Sequence, residues 1–312
     1  MAKLMSKKTK EIVQTTSVIV IVLALLFFYA IYPLIAVPGL VGRPDRDKFN
    51  DPKFQLQNDP ALFVEKGLNP DTFSVESNDN IKLAALYFFP DTSASKPLRG
   101  TVILSPSADT NRTALIDYVA PFLDSGLAVV LYDQRATGLS GGTYHMAGTL
   151  EADDLSEVIA YLSLHGKFHP PVSAVGFGLG GDAAINAART EKRISFVLAV
   201  NPDLTPTRYI EKIIKRGGLL PIPFSKATYF WWYTKFSSYP GERTSVDEIT
   251  PLETPTLILD PSEKLNSAEV AKIRQVSPPG IVRVEALPDE SSRLQNLIIG
   301  EVCAGLKTAA QK

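Results

Sequence analysis

The run Val-Ser-Ala-Val-Gly-Phe-Gly-Leu-Gly-Gly at residues 172–181 constrains the fold of this chain more than any other stretch. Its first half is short, apolar and β-favouring, the pattern of a strand buried on both faces. Its second half is dense in glycine, which permits a sharp turn, and a helical pattern follows to about residue 188. A buried strand turning straight into a helix belongs to an architecture in which helices cover both faces of a mostly parallel sheet.

The rest of the chain repeats that alternation. Strands are expected at 81–88, 101–104, 128–132, 172–177, 196–201, 256–260 and 282–286. Helices are expected at 112–123 (with Asn111 as N-cap), 150–164, 267–275 and 293–306. These readings place an α/β domain with a mostly parallel sheet over residues 72–308. A cap insertion at 202–254 interrupts it, holding a basic helical stretch from Tyr209 to Arg216 and the aromatic patch Tyr229, Phe230, Trp231, Trp232 and Tyr233. Two readings of the patch stay open: aromatics that pack on the sheet edge, or a lid that lines a pocket or touches a membrane surface.

Ahead of the domain, residues 1–11 are short and basic, and residues 12–37 form an apolar stretch long enough to cross a bilayer. Tyr29 and Tyr32 suit an interfacial belt. A cleavable signal peptide is the competing reading, but the run is long and no small-residue cleavage site follows it. Lys3, Lys7, Lys8 and Lys10 favour a cytoplasmic N-terminus with the domain on the extracytoplasmic side; Arg43, Arg46 and Lys48 oppose that orientation. Residues 38–71, broken by Pro44, Pro52, Pro60 and Pro70, read as a stalk or linker.

Composition narrows the chemistry. A net charge of −1 with no basic cluster gives no reason to expect a nucleic-acid partner. The single cysteine, Cys303, excludes an intramolecular disulfide. His145, His165 and His169 are the only histidines. The last two have metal-ligand spacing but lack further ligands, so no metal and no cofactor are expected.

Several blocks carry a resemblance to a known superfamily. Residues 131–142 (LYDQRATGLSGG) look like a D-x-R-G-x-G-x-S-x-G loop with Ala136 in place of its first glycine. Residues 151–162, the lead-in at 253–259 and the G-F-G-L-G turn at 176–180 fall in the matching order. Together they resemble the α/β-hydrolases, in particular the acylhydrolase and serine-aminopeptidase-like branch. That resemblance implies a nucleophile elbow of pattern G-x-S-x-G, a histidine base, an orienting carboxylate and an oxyanion hole. In this chain the nucleophile place holds Gly178, and the H-G of the oxyanion loop reads Ser105–Pro106. Lys264 stands at the acid place and Ser292 at the histidine place.

The expected function is therefore a membrane-anchored hydrolase-fold pseudoenzyme that binds a small ligand or a protein partner. Ser105, Ser107, Gly178, Leu179, Trp231 and Trp232 are its candidate contacts. The alternatives are an esterase- or peptidase-type serine hydrolase with an unconventional site, and a structural subunit of a membrane complex. Ser107, His145 and Asp203 are the residual catalytic candidates, although a surface histidine and a turn aspartate are the plainer readings of the last two. Asp133 and Arg135 are expected to organise their loop through an ion pair or backbone hydrogen bonds. Asp182 is expected to serve as a first-turn carboxylate of the following helix.

Overall fold

The computed structural model describes residues 7–32, 34–35, 60–92, 97–216 and 250–311. Helix α1 (Lys7–Leu26) runs on into a π-helical turn at Phe27–Ile31, and together they are long and apolar enough to cross a membrane. None of their described side chains is buried against protein. A signal sequence would satisfy the same length and composition.

The domain is built on eight strands: β1 (Asp71–Glu76), β2 (Lys82–Phe88), β3 (Gly100–Ser105), β4 (Leu127–Tyr132), β5 (Val172–Phe177), β6 (Ile194–Val200), β7 (Thr256–Asp260) and β8 (Val282–Ala286). Their order is β1-β2-β4-β3-β5-β6-β7-β8. The pairs β1·β2 and β2·β4 are antiparallel; every later pair is parallel. Around the sheet lie α2 (Pro60–Glu65), α3 (Val119–Asp124), α4 (Leu150–Leu164), α5 (Leu179–Thr190), α6 (Pro206–Arg216), α7 (Ala268–Val276) and α8 (Ser291–Ala309).

Strand periodicity divides the core in two. In β4, Ala128, Val130 and Tyr132 join Ile103 and the α4 residues Leu155, Val158, Ile159 and Leu162 on one face. Leu127, Val129 and Leu131 join Val102, Leu104, Phe122 of α3 and Ile298 and Val302 of α8 on the other. Every residue of β3 and β4 is buried, which accounts for their unbroken apolar runs. Each Val, Leu, Ile or Phe so covered contributes about 1.5–3 kcal/mol. The chain crosses from β4 on one side of β3 to β5 on the other, so a crevice opens at the carboxyl ends of these strands. The loop after β3 and the turn after β5 both face it.

Several local expectations need correction. Residues 38–71 are not stalk throughout: α2 starts at Pro60, Leu68 enters the core and β1 starts at Asp71. The strand β1 was hidden because it lies at the sheet edge and buries only Val75. The helix expected at 112–123 is a 3₁₀ segment, Arg112–Tyr118, followed by α3. Asn111 caps it as expected, accepting the Thr113 amide at 2.9 Å. From the insertion, α6 and Leu252 pack onto the domain, with Tyr209, Ile210 and Leu252 buried. Trp231, Trp232 and the rest of the aromatic patch lie outside the described residues.

Candidate active site

Strand β5 ends in a tight, glycine-rich turn. Gly178 has φ +51° and ψ −119°, donates its amide to the Val200 carbonyl at 2.8 Å and accepts the Gly181 amide at 2.8 Å. A Cβ on Gly176 would stand 2.0 Å from the Gly180 carbonyl oxygen. One on Gly180 would stand 2.3 Å from the Ser105 carbonyl oxygen and 2.6 Å from that of Pro106. Backbone contacts of that length cannot relax, so these two glycines let α5 begin flush against β5 and the loop after β3.

Gly178 differs in kind. A Cβ there would clash with no backbone atom; its nearest neighbour would be the Ser107 hydroxyl, at 2.8 Å, with the Ser107 Cα at an ordinary 4.0 Å. The structure thus brings Ser107 and Gly178 together, with a hydroxyl at the place where a side chain on residue 178 would grow. The other floor candidates point elsewhere. Ser105 is fully buried and donates its hydroxyl to Tyr132 Oη at 2.9 Å. Leu179 is buried as well, which leaves its backbone amide, at the start of α5, as the group it offers a ligand. The Pro106 carbonyl accepts from Gln134 Nε2 at 2.6 Å, fixing the loop from below.

The loop after β4 is held by two buried ion pairs, and Asp133 and Arg135 do not pair with each other. Asp133 accepts the amides of Arg112 (2.8 Å) and Leu139 (2.9 Å) and pairs with the Arg112 guanidinium. Burial nonetheless pushes its carboxyl above the usual range, against the pull of Arg112. Arg135 forks onto Asp154 (2.8 and 2.7 Å) and reaches Asp79 at 2.8 Å. Ala136, standing where the family pattern has glycine, takes φ +57°.

At the acid place, Lys264 follows β7 in a 3₁₀ turn, Ser262–Lys264. Its Nζ donates to Asn201 Oδ1 at 2.6 Å, tying the β7 loop to the end of β6. Ser292, at the histidine place, is exposed in the first turn of α8.

The X-Pro dipeptidyl-peptidase (S15 family) model matches residues 72–231, about half of the chain. The chain belongs to that family. Among curated protein sequences, none matches it. Solved structures that resemble it are α/β-hydrolases. The Pyrococcus furiosus esterase Pf2001 shares 19% identity over 79% of this chain and 95% of its own, with a TM-score of 0.57. The α/β-hydrolase GrgF from Penicillium sp. sh18 shares 15% identity over 78% and 99%, with a TM-score of 0.53. A putative aryl esterase from Burkholderia cenocepacia shares 18% identity over 76% and 100%, with a TM-score of 0.50. At these identities the likeness establishes the fold.

Within this S15-family domain His145 and Asp203 are packed into the scaffold. His145 is buried, not a surface residue, with Nδ1 3.7 Å from Glu151 Oε1. Burial alone would raise the Glu151 carboxyl, but His145, Arg135 and the Met146 amide outweigh it and hold it below the usual range. Asp203 is also buried and pairs with Lys212 at 3.0 Å. Asp182 stands in the first turn of α5, as expected, and also accepts the amides of Asp203 (3.1 Å) and Leu204 (2.7 Å). Burial first, then the charge of Asp203, raises its carboxyl far above the usual range.

One buried group escaped the sequence reading. Asp260 closes β7, is fully buried, and neither of its carboxylate oxygens has a hydrogen-bond partner among the described residues. Burial pushes its pKa up to about 6, against the pull of Lys264 and Arg208. A carboxylate ending an otherwise apolar strand was the available signal. Among the described residues, no group of His, Cys, Asp and Glu is placed to hold a metal ion. His165 and His169 lie at the opposite end of the sheet, lining a separate cavity.

Proposed function

We propose that this S15-family domain is a membrane-tethered binding protein that does not turn over acyl substrates through its elbow. The observation that carries the reading is Gly178, whose missing side chain has its place taken by the Ser107 hydroxyl. Attack at an acyl carbon needs a nucleophile backed by a base and an orienting acid. Lys264 and Ser292 at the remaining two places supply neither imidazole nor carboxylate. The ligand class is a small molecule or protein segment that enters the crevice over Ser107 and the first turn of α5. We place the N-terminus in the cytoplasm on the strength of the lysines ahead of α1.

A second reading rests on the same contact. Ser107 presents a hydroxyl beside the first turn of α5, whose amides favour an oxyanion. Esterase-like neighbours and S15 membership support a displaced serine nucleophile equally well. The full-length protein in detergent, treated with a fluorophosphonate probe and with a p-nitrophenyl acyl ester, separates the two. We expect neither labelling nor turnover. Labelling that disappears in Ser107→Ala overturns the first reading in favour of the second.

A further inference from the structure

The cavity at the amino-terminal end of the strands is independent of the elbow. It measures about 860 Å³ and its walls come from the segment after α2, the start of β1, the end of β2, the end of α3 and the segment after α4. At its base Asp71 and Tyr87 are register partners across β1 and β2. Lys167 pairs with the Asp71 carboxylate, and its Nζ lies 4.7 Å from the centroid of the Tyr87 ring. A carboxylate beside an aromatic face is a cradle for a primary ammonium, and the chain's own lysine shows the fit.

Two further features point past Lys167 to an external ligand. Tyr87 is 5% exposed, yet its hydroxyl has no hydrogen-bond partner among the described residues. Burial, and then the Asp71 charge, pushes its pKa up to about 12, so it remains a phenol able to donate or accept. The lining also carries exposed Asp91 and Asp124, and a half-exposed Phe89 whose ring meets His169 edge-on at 5.6 Å. Carboxylates around an aromatic wall match a ligand with several ammonium groups on an alkyl chain.

We propose that this cavity is a binding site for an aliphatic polyamine. One ammonium takes the place of Lys167 between Asp71 and the Tyr87 ring, and a neighbouring N–H donates to the Tyr87 hydroxyl. Further ammonium groups meet Asp91 and Asp124. Lys167 then acts as a resident competitor that swings out as the ligand enters.

The test is calorimetric titration of the full-length protein in detergent with spermidine at neutral pH and low salt. Saturable binding is expected, weakened at least tenfold in Asp71→Asn and tightened severalfold in Lys167→Met, which keeps the aliphatic stem and removes the competing charge. Tyr87→Phe gives a readout that packing alone does not. Losing an unpartnered buried hydroxyl raises the melting temperature without ligand, while spermidine binding weakens. Glu253→Gln, in the lead-in to β7 and outside this cavity, controls for nonspecific charge and leaves binding unchanged. Absence of saturable binding to wild type, equal affinity in Asp71→Asn, or equal weakening by Glu253→Gln overturns the proposal. Should the Asp71 and Lys167 variants fail to fold, unchanged affinity in Tyr87→Phe overturns it and weaker affinity sustains it.

Discussion

Restoring the family's serine at the elbow is the sharpest test of what residue 178 does. Gly178→Ser introduces a Cβ at φ +51°, a left-handed conformation that costs an L-residue about 1–2 kcal/mol. The same Cβ stands 2.8 Å from Ser107 Oγ and 3.4 Å from Ser107 Cβ. The hydroxyl is the movable end of that pair, so the clash is relieved by rotating Ser107, for about 0.5–1.5 kcal/mol. The sum is about 2–3 kcal/mol. For a domain of this size 1 kcal/mol shifts the melting temperature by about 2–4 °C, so a fall of about 4–12 °C is expected. The double variant Gly178→Ser/Ser107→Ala recovers the second part and not the first. Thermal unfolding followed by intrinsic fluorescence measures both, and fluorophosphonate labelling runs alongside. Without an imidazole the new serine stays unactivated, and no rapid labelling is expected. An unchanged melting temperature in the single variant would refute the steric reasoning. Rapid labelling would refute the chemical part, because it requires a base within reach of residue 178.

Three other perturbations follow from the same geometry. Gly180→Ala puts its Cβ 2.3 Å from the Ser105 carbonyl, so a loss above about 3 kcal/mol or failure to fold is expected; denaturant unfolding measures it. Arg112→Met leaves the buried Asp133 carboxyl without its ion partner, costing about 3–5 kcal/mol by the same assay, more than removal of the exposed Lys192–Glu253 pair. Asp260→Asn bears on pH: the folded pKa of Asp260 is raised from 3.8 to about 6, so its contribution to stability is full below about pH 4 and lost as pH rises through about 6. The variant is therefore more stable than wild type at pH 8, by about 2–3 kcal/mol, with the gap closing toward pH 4; unfolding curves across that range check it.

The inner strands were legible because burial on both faces leaves no choice of residue. Every position of β3 and β4 is covered, and their apolar runs say so without knowledge of the neighbours. The edge strand β1 carried no such signal, since its outer residues remain in water. What sequence could not supply was pairing at a distance. The 112–123 segment reads as helix by pattern, yet Arg112 is drawn to Asp133 through both its amide and its guanidinium, and the first turns tighten into 3₁₀ geometry. Asp133 and Arg135 organise their loop through ion pairs as expected, but the partners of Arg135, Asp154 and Asp79, come from α4 and the β1–β2 turn and are not marked in the sequence. His145 illustrates the same limit: its place after a glycine-rich loop suggested exposure, and its burial follows from Glu151, which also gathers the amides of Met146 and Gly148.

The elbow can persist without catalysis because its geometry has two separable causes. Tight joining of β5 to α5 is imposed by Gly176 and Gly180, whose absent side chains let backbone meet backbone. Those contacts seat α5, which packs Ala184, Ile185, Ala187 and Ala188 into the core, so losing them would cost the fold itself. The conformation at residue 178 is strained only for a residue with a side chain. With glycine there, the turn is strain-free, and packing alone suffices to retain it. A G-x-G-x-G turn in this setting is thus evidence for the sheet and its crossover helix. Evidence for chemistry has to come from what stands above the turn, and among the described residues that is the hydroxyl of Ser107.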